Sequence, residues 1–201
     1  AFGVDAYWIA PEAQLDAESK GYIIIDPEDV ITTHLSQIIN AHAADLLGQE
    51  EVQELLDDLQ INSPNLVETV IPKVMPLYQL TSVLKCILEE TIPISDLRLI
   101  LETIASLNTQ KMDNEDIAEK IRPSLVPMLI QKMIKFKDTL PLITLAPELE
   151  QMILQSVRQN PEEKMLMLEG SLAKKILANL NEASENLNKD EKPVFLIVAP
   201  Q

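Results

Sequence analysis

The chain of 201 residues has only four glycines, one cysteine and few aromatic residues, which make up 3% of the sequence. So few glycines nearly exclude a glycine-rich phosphate-binding loop. The single thiol, Cys86, excludes an intramolecular disulfide and fits a reducing compartment. It lies in an apolar helical pattern, which predicts a buried thiol rather than a reactive nucleophile. With 46% hydrophobic residues, the predicted core is large and aliphatic.

Basic residues are also scarce, since 16 Lys and Arg face 32 Asp and Glu, for a formal net charge of −16. Such a chain repels phosphate backbones and anionic lipid heads, which predicts no nucleic-acid binding and no direct membrane contact. The composition does not exclude partners with basic surfaces. No run approaches the ~18 apolar residues of a membrane span, and no signal peptide is recognisable. We therefore expect the chain as given to be soluble. The missing initiator Met and the abrupt apolar start AFGVDAYWI lead us to expect a piece of a longer protein.

Short apolar runs near the start, at residues 6–9 and 22–25, predict two β-strands. A helix is predicted next, because Asp26 can accept hydrogen bonds from free backbone N–H groups and Pro27 suits the first helical position. We expect this helix to continue to about Leu47 and to end at Gly48.

Residues 49–133 predict a series of helices with short connections. Asp96 and Asp113 are typical of helix starts, and Pro123 and Pro127 predict interruptions of the last helix. The apolar residues follow i, i+3, i+4, i+7 spacing on three successive faces: Val52, Leu55, Leu56, Leu59; Leu80, Val83, Leu84, Ile87, Leu88; Leu97, Ile100, Leu101, Ile104.

The last third predicts a parallel α/β layer. Residues 142–145 form a short apolar strand pattern before a helix that reaches about Val157, and residues 194–198 form a second strand after a helix at 171–188. Residues 165–168 fit either a short strand or part of a helix. The predicted class is therefore α+β and helix-dominated: short strands near the N-terminus, a central helical subdomain, then a partial parallel α/β subdomain, with the natural chain expected to continue past Gln201.

No catalytic or metal-binding constellation emerges from these residues. His34 and His42 are eight positions apart, about two helical turns, which is too far to share one metal. Thr33 has no base beside it and could bond back to a helical carbonyl. The many carboxylates cluster on predicted exposed faces. We therefore expect no catalytic residue, cofactor or metal, and no enzymatic activity; a hydrolase that uses unrecognised acidic residues is the alternative.

The few aromatic residues are concentrated near the N-terminus, where four of the seven lie within the first 22 residues: Phe2, Tyr7, Trp8 and Tyr22. Core packing is the default interpretation. A groove that anchors a partner through aromatic side chains is the alternative, because aromatic residues dominate many interfaces.

Five segments resemble the FlhA/LcrD family of export-gate proteins of bacterial flagella and type III secretion injectisomes: AFGVDAYWI, GYIIIDPEDVITTHL, HAADLLGQEEVQELLDDL, IPISDLRLILETIA and VFLIVAP. They occur in the family's order and span nearly the whole chain. The resemblance implies a cytoplasmic domain at the inner membrane, built of four subdomains. It assigns residues 1–25 to part of the second, 26–48 to the closing helix of the first, 49–133 to the helical third and 134–201 to part of the fourth.

The resemblance also implies a function. Family members form a nine-membered ring, contact other export-apparatus proteins and dock chaperone–substrate complexes for ordered export. Phe2 and Thr33 match the family's chaperone-docking motif, and Ile25 and Val30 flank the same junction. The segment LPLITLAPELEQMILQSV favours a flagellar member, whereas DAYWI departs from many of them. An injectisome gate, or a ring scaffold without direct chaperone docking, are the alternatives.

Overall fold

The computed structural model describes residues 6–133, 140–159, 170–188 and 194–198. The chain forms two compact units, Ala1–Leu129 and Ile130–Gln201. Helices dominate the described ranges, and these ranges contain one small parallel sheet. The coarse prediction of a helix-dominated α+β chain is thereby confirmed, while the division into four subdomains stays a prediction. None of the described helices combines the length and apolarity that crossing a membrane requires.

The first unit is built from helices joined by short connections. Its largest elements follow one another from Gly48 onward and carry the core. Short 3₁₀ turns lie at Pro11–Ala13 and Thr109–Lys111. The described α-helices are α1 (Gln14–Ser19), α2 (Pro27–Ala41), α3 (Ala43–Leu46), α4 (Gln49–Asn62), α5 (Pro64–Val70), α6 (Leu77–Glu89), α7 (Leu97–Ser106) and α8 (Asn114–Met133), whose last four residues belong to the second unit.

The hydrophobic core of the first unit is aliphatic and lies among α4 to α8. The predicted helical faces point into it, although Leu55 is 39% exposed. Burying such a side chain contributes roughly 1.5–3 kcal/mol relative to leaving it in water. The fully buried residues are Val52, Val70, Met75, Leu80, Val83, Leu84, Ile87, Ile100, Leu101, Ile104, Ile117, Ile121 and Leu125, each at 0% exposure.

Helix starts in this core are capped by nearby carboxylates. Asp96 Oδ1 accepts a hydrogen bond from the Leu99 backbone N–H at 3.0 Å, and Asp113 Oδ1 accepts from the Asp116 N–H at 2.8 Å. Each bond satisfies a donor that the first helical turn leaves free. The predicted starts at Asp96 and Asp113 are therefore confirmed.

The described part of the second unit contains two strands and two helices. Strand β1 (Leu142–Thr144) precedes α9 (Pro147–Gln159), and α10 (Gly170–Leu187) precedes β2 (Phe195–Ile197). The strands pair in parallel with Leu142 opposite Phe195 and Thr144 opposite Ile197. The predicted parallel pairing is confirmed. Residues 165–168, whose sequence fits either a short strand or part of a helix, lie outside the described residues.

The predicted continuous helix from Pro27 to Leu47 is wrong, because the chain breaks at His42. That residue has φ −111° and ψ 20°, outside the helical region, and a one-turn helix, α3, follows it. Helix α3 packs against α6, and Leu47 after it is only 8% exposed. The break thus redirects the chain so that Leu47 reaches the core. Gly48 then precedes α4, where its N–H donates to Glu51 Oε2 at 2.8 Å.

The predicted interruptions of the last helix are also wrong, because α8 runs through Pro123 and Pro127. Each proline removes a helical N–H donor and would ordinarily kink or break a helix. Both prolines are exposed, whereas Ile117, Ile121 and Leu125 on the opposite face are fully buried. The burial of that face keeps the helix continuous despite the missing backbone bonds.

The two predicted N-terminal strands do not form. Residues 6–9 and 22–25 carry no strand, and neither pairs with another segment among the described residues. β-Branched and aromatic residues suit a pleated strand only where a neighbouring strand satisfies the backbone. Ile23 is 89% exposed, which agrees with a segment without such a neighbour.

Candidate docking surface

The segment that leads into α2 sets the geometry of the predicted docking site. Asp26 has extended dihedral angles, φ −65° and ψ 142°, and Pro27 begins the helix. The Asp26 side chain makes no capping hydrogen bond, contrary to prediction; its backbone carbonyl accepts from the Val30 N–H at 3.1 Å. The carboxylates of Glu28 and Asp29 lie in the first turn, where the helix dipole favours negative charge.

The structure brings two of the four predicted site residues to one face. Val30 and Thr33 are one turn apart on α2, and both are half-buried. Ile25 lies in the non-helical segment before α2 and is 45% exposed. Phe2 lies outside the described residues. The docking role of all four stays a prediction.

A second feature of α2, which the sequence reasoning did not single out, is an exposed apolar stripe. Ile31, Leu35 and Ile38 follow i, i+4, i+7 spacing and are 63%, 54% and 44% exposed. We call these three residues the α2 apolar face. No residue of α2 is buried. Their spacing indicates an apolar helix face, but the same spacing occurs in buried faces, so it does not indicate that this face is exposed.

The N-terminal aromatic residues are exposed as well. Tyr7, Trp8 and Tyr22 are 90%, 76% and 69% exposed, so the default expectation of core packing is wrong for these three. In the sequence they flank a short helix in which Asp16 forms an ion pair with Lys20. Exposed aromatic rings are enriched at protein interfaces.

The histidines form no metal site in the described part of the chain. His42 Nδ1 lies 3.0 Å from Asp45 Oδ2, and both side chains are largely exposed. Across residues 6–133, 140–159, 170–188 and 194–198, no group of three or more His, Cys, Asp or Glu could hold a metal ion. The pair lies at the start of α3, with His42 between the two helices and Asp45 in the first turn of α3.

Cys86 lies on α6 and packs partly against the core. Its burial, followed by the nearby carboxylates of Glu89 and Glu115, raises the pKa of the thiol. A raised pKa lowers the thiolate fraction at neutral pH, and the thiolate is the nucleophile. The geometry therefore agrees with a structural thiol.

Charge is distributed unevenly over the first unit. Residues 21–72 contain ten Asp and Glu and neither Lys nor Arg. This range includes α2 to α5, so neither the helix that carries the α2 apolar face nor the three helices after it contain a Lys or Arg. Such a surface attracts basic partners and repels phosphate-rich ones.

The FHIPEP family matches residues 1–201, the whole chain. The flagellar biosynthesis protein FlhA of Helicobacter pylori strain J99 is 36% identical over 202 residues, and that of Escherichia coli strain K12 is 34% identical over 198 residues. These matches cover 100% and 98% of this chain, but 27% and 28% of the two relatives. The chain thus spans about a quarter of the length of the relatives it matches.

Solved structures share the fold. The Chlamydia pneumoniae CdsV protein has a TM-score of 0.74 at 24% identity, covering 100% of this chain and 65% of that one. A chain of the C. pneumoniae CdsV and CdsO protein complex has a TM-score of 0.72 at 27% identity, covering 87% of this chain and 51% of that one. Nonameric EPEC SctV-C has a TM-score of 0.70 at 19% identity, with 94% and 64% covered.

Proposed function

Because the chain belongs to the FHIPEP family, we propose that it is part of the cytoplasmic platform of a bacterial type III protein export gate. The observation that carries the proposal is a match over 98–100% of the chain to flagellar biosynthesis proteins at 34–36% identity. The names of these relatives favour the flagellar system. In this proposal the chain lies at the cytoplasmic face of the inner membrane and has no enzymatic activity.

A segment exchange tests this function directly. The 198 matched residues of E. coli FlhA are replaced by this chain, and swimming of an FlhA-deficient E. coli strain is measured. We expect swimming to be restored at least in part. The matched segment of C. pneumoniae CdsV serves as the control. If the CdsV exchange restores swimming and ours does not, at equal protein levels, the flagellar assignment is wrong.

We further propose that the surface around Val30 and Thr33 docks chaperone–substrate complexes. Three observations support the proposal: the two residues share one face of α2, the apolar Ile25 precedes that helix, and the surrounding range carries only negative charges. Thr33, which is half-buried beside Val30, gives such a site a hydroxyl for one directional contact. A partner with an apolar segment flanked by Lys or Arg would match it.

Isothermal calorimetry with a flagellar chaperone–substrate complex tests the docking site. A micromolar dissociation constant corresponds to about −8 kcal/mol. Thr33→Val keeps the side-chain shape but removes the hydroxyl, and it should weaken binding by roughly 0.5–1.5 kcal/mol. Thr32→Val, on the exposed side of the same helix, is the matched control. Phe2→Ala should weaken binding by roughly 1–3 kcal/mol if the ring is an anchor.

Equal affinities for Thr33→Val, Phe2→Ala and the native chain would show that this surface does not dock the chaperone–substrate complex. That result would favour the second candidate, a scaffold that assembles into a ring and contacts other export-apparatus proteins. The solved complex of CdsV with CdsO, at 27% identity, supports contact with a partner of the CdsO kind. Sedimentation of the chain alone and with the flagellar counterpart of that partner would separate the two candidates.

A further inference from the structure

Helix α8 has two parts that differ in how they are held. Up to Leu125 it contributes four buried residues to the core: Ile117, Ala118, Ile121 and Leu125. From Pro127 to Met133 no residue is fully buried, although Met128 packs partly against the core, and Met133 is 54% exposed. The first part is therefore held by more core packing than the second, which depends more on the backbone bonds that continue the helix.

Those backbone bonds are interrupted at two positions on one side. Pro123 and Pro127 have no N–H, so the carbonyls of Glu119 and Pro123 lose their helical donors. At i, i+4 spacing, the two missing bonds lie one above the other. Both prolines are exposed and lie opposite the buried face. A bend that opens the helix on the proline side therefore breaks fewer hydrogen bonds than a bend in another direction.

Side-chain contacts tie the proline segment to α6, to α7 and to the connection between them. Arg122 forms an ion pair with Glu90 at the end of α6. Ser124 Oγ accepts a hydrogen bond from Thr103 Oγ1 at 3.3 Å. These contacts lie beside Pro123 and before Pro127. They hold the helix up to the second missing bond.

In α8 beyond Pro127, Met128 packs partly against the core, and Ser95 Oγ donates a hydrogen bond to Met128 Sδ at 3.5 Å. Sulfur is a weak acceptor, so this contact holds the last part of α8 less firmly than an ion pair does. The mechanical connection thus weakens at one place, directly after Leu125.

We propose that α8 is a jointed helix, in which the part from Pro127 to Met133 bends as an intact unit about the two prolines. The Arg122–Glu90 ion pair limits this bend by holding the residues before the joint. The joint is a property of these prolines and does not depend on the export function.

The bend can be measured with two nitroxide labels in the full 201-residue chain. Glu115→Cys and Lys132→Cys are made in a Cys86→Ala background, and their distance distribution is measured by double electron–electron resonance. In a straight helix the two backbone sites are about 26 Å apart. We expect a distribution that extends to shorter distances. Replacing both prolines with alanine should narrow it at least about twofold.

Controls separate a bend from simple fraying. Amide hydrogen exchange in residues 128–132 should stay at least about tenfold slower than in an unfolded chain, because the bonded turn moves as a unit. If the double variant folds poorly, the single variant Pro127→Ala replaces it in the comparison. Pro64→Ala is the matched control, because Pro64 is the first residue of α5 and its replacement restores no helical hydrogen bond.

The proposal is overturned by equal widths in the native and alanine chains, or by unprotected amides after Pro127. Narrow distributions in both chains would mean that no bend occurs. Broad distributions in both would mean that the prolines do not cause the bend. Arg122→Ala should broaden the native distribution further, and an unchanged width would remove the ion pair from the proposal.

Discussion

Helices α2 and α6 have similar lengths and similar amphipathic patterns, but their apolar faces have different surroundings. Helix α6 buries Leu80, Thr81, Val83, Leu84 and Ile87. Helix α2 buries no residue, and its apolar face of Ile31, Leu35 and Ile38 is about half exposed. Both helices belong to the same compact unit. The difference therefore lies in what packs against them.

The comparison shows that helical spacing of apolar residues identifies a face that burial would stabilise. It does not identify what covers that face. For α6, the contacts come from α3 and α4. For α2, the described residues supply little cover, and the surrounding sequence is acidic. A helix with an exposed apolar stripe and a half-buried hydroxyl on another face can contact partners in two directions. Four measurements can break or sharpen this comparison.

The largest expected difference is in stability. Leu84→Ala removes a side chain with 0% exposure and should lower the free energy of unfolding by about 2–5 kcal/mol. Ile31→Ala, at a side chain that is 63% exposed, should change it by less than about 0.5 kcal/mol. Urea unfolding followed by circular dichroism measures both.

A loss for Ile31→Ala close to that of Leu84→Ala would break the comparison, because it would mean that the α2 apolar face is covered in solution. Repeating the unfolding over a hundredfold range of protein concentration distinguishes the sources of cover. Cover by a second copy makes the midpoint depend on concentration, whereas cover within the chain does not.

Helix capping gives a second, smaller contrast between the two regions. Asp96 makes its side-chain bond to the Leu99 N–H, whereas Asp26 makes none. Asp96→Ala should therefore cost about 1 kcal/mol of stability, and Asp26→Ala less than about half of that, through the helix dipole alone. Thermal unfolding of the two variants measures the difference. Equal losses would show that the Asp26 side chain caps α2 in solution.

Much of the helical core was predictable because its signals are local. The apolar spacing of Leu80 to Leu88 predicts a buried face, and Asp96 predicts a cap, since both depend on residues within one or two turns. The parallel strands were predictable from two similar apolar runs, each ending in Ala-Pro. In the candidate site, the shared face of Val30 and Thr33 follows from their spacing of three residues.

The predictions that were wrong concern features that depend on contacts between residues far apart in the sequence. The apolar runs at 6–9 and 22–25 have strand-like residues, but a strand needs a partner that the sequence does not identify. Pro123 predicts a break, yet the burial of Ile121 and Leu125 by other helices keeps α8 continuous. The exposure of Ile31 was equally unpredictable, because its spacing is the same as that of a core residue.

The smallest contrast concerns thiol reactivity. The pKa of Cys86 is raised by burial and then by Glu89 and Glu115, so its thiolate fraction at pH 8 is below that of an exposed thiol. Reaction with a disulfide reagent should be at least about threefold slower for Cys86 than for Ser36→Cys on exposed α2, made in a Cys86→Ala background. Equal rates would place Cys86 in water and weaken the contrast between α6 and α2.

The same shift fixes the sign of a pH effect on stability. As the pH rises through about 8.5, the ordinary thiol value, the unfolded chain releases the Cys86 proton before the folded chain does. The folded state then holds more protons, so the free energy of unfolding falls until the pH passes the raised pKa. Cys86→Ser should remove this loss above about pH 8.5, whereas Ser36→Cys should add none. A native chain whose stability is as flat as that of Cys86→Ser over this range would show that the thiol has the same pKa in both states.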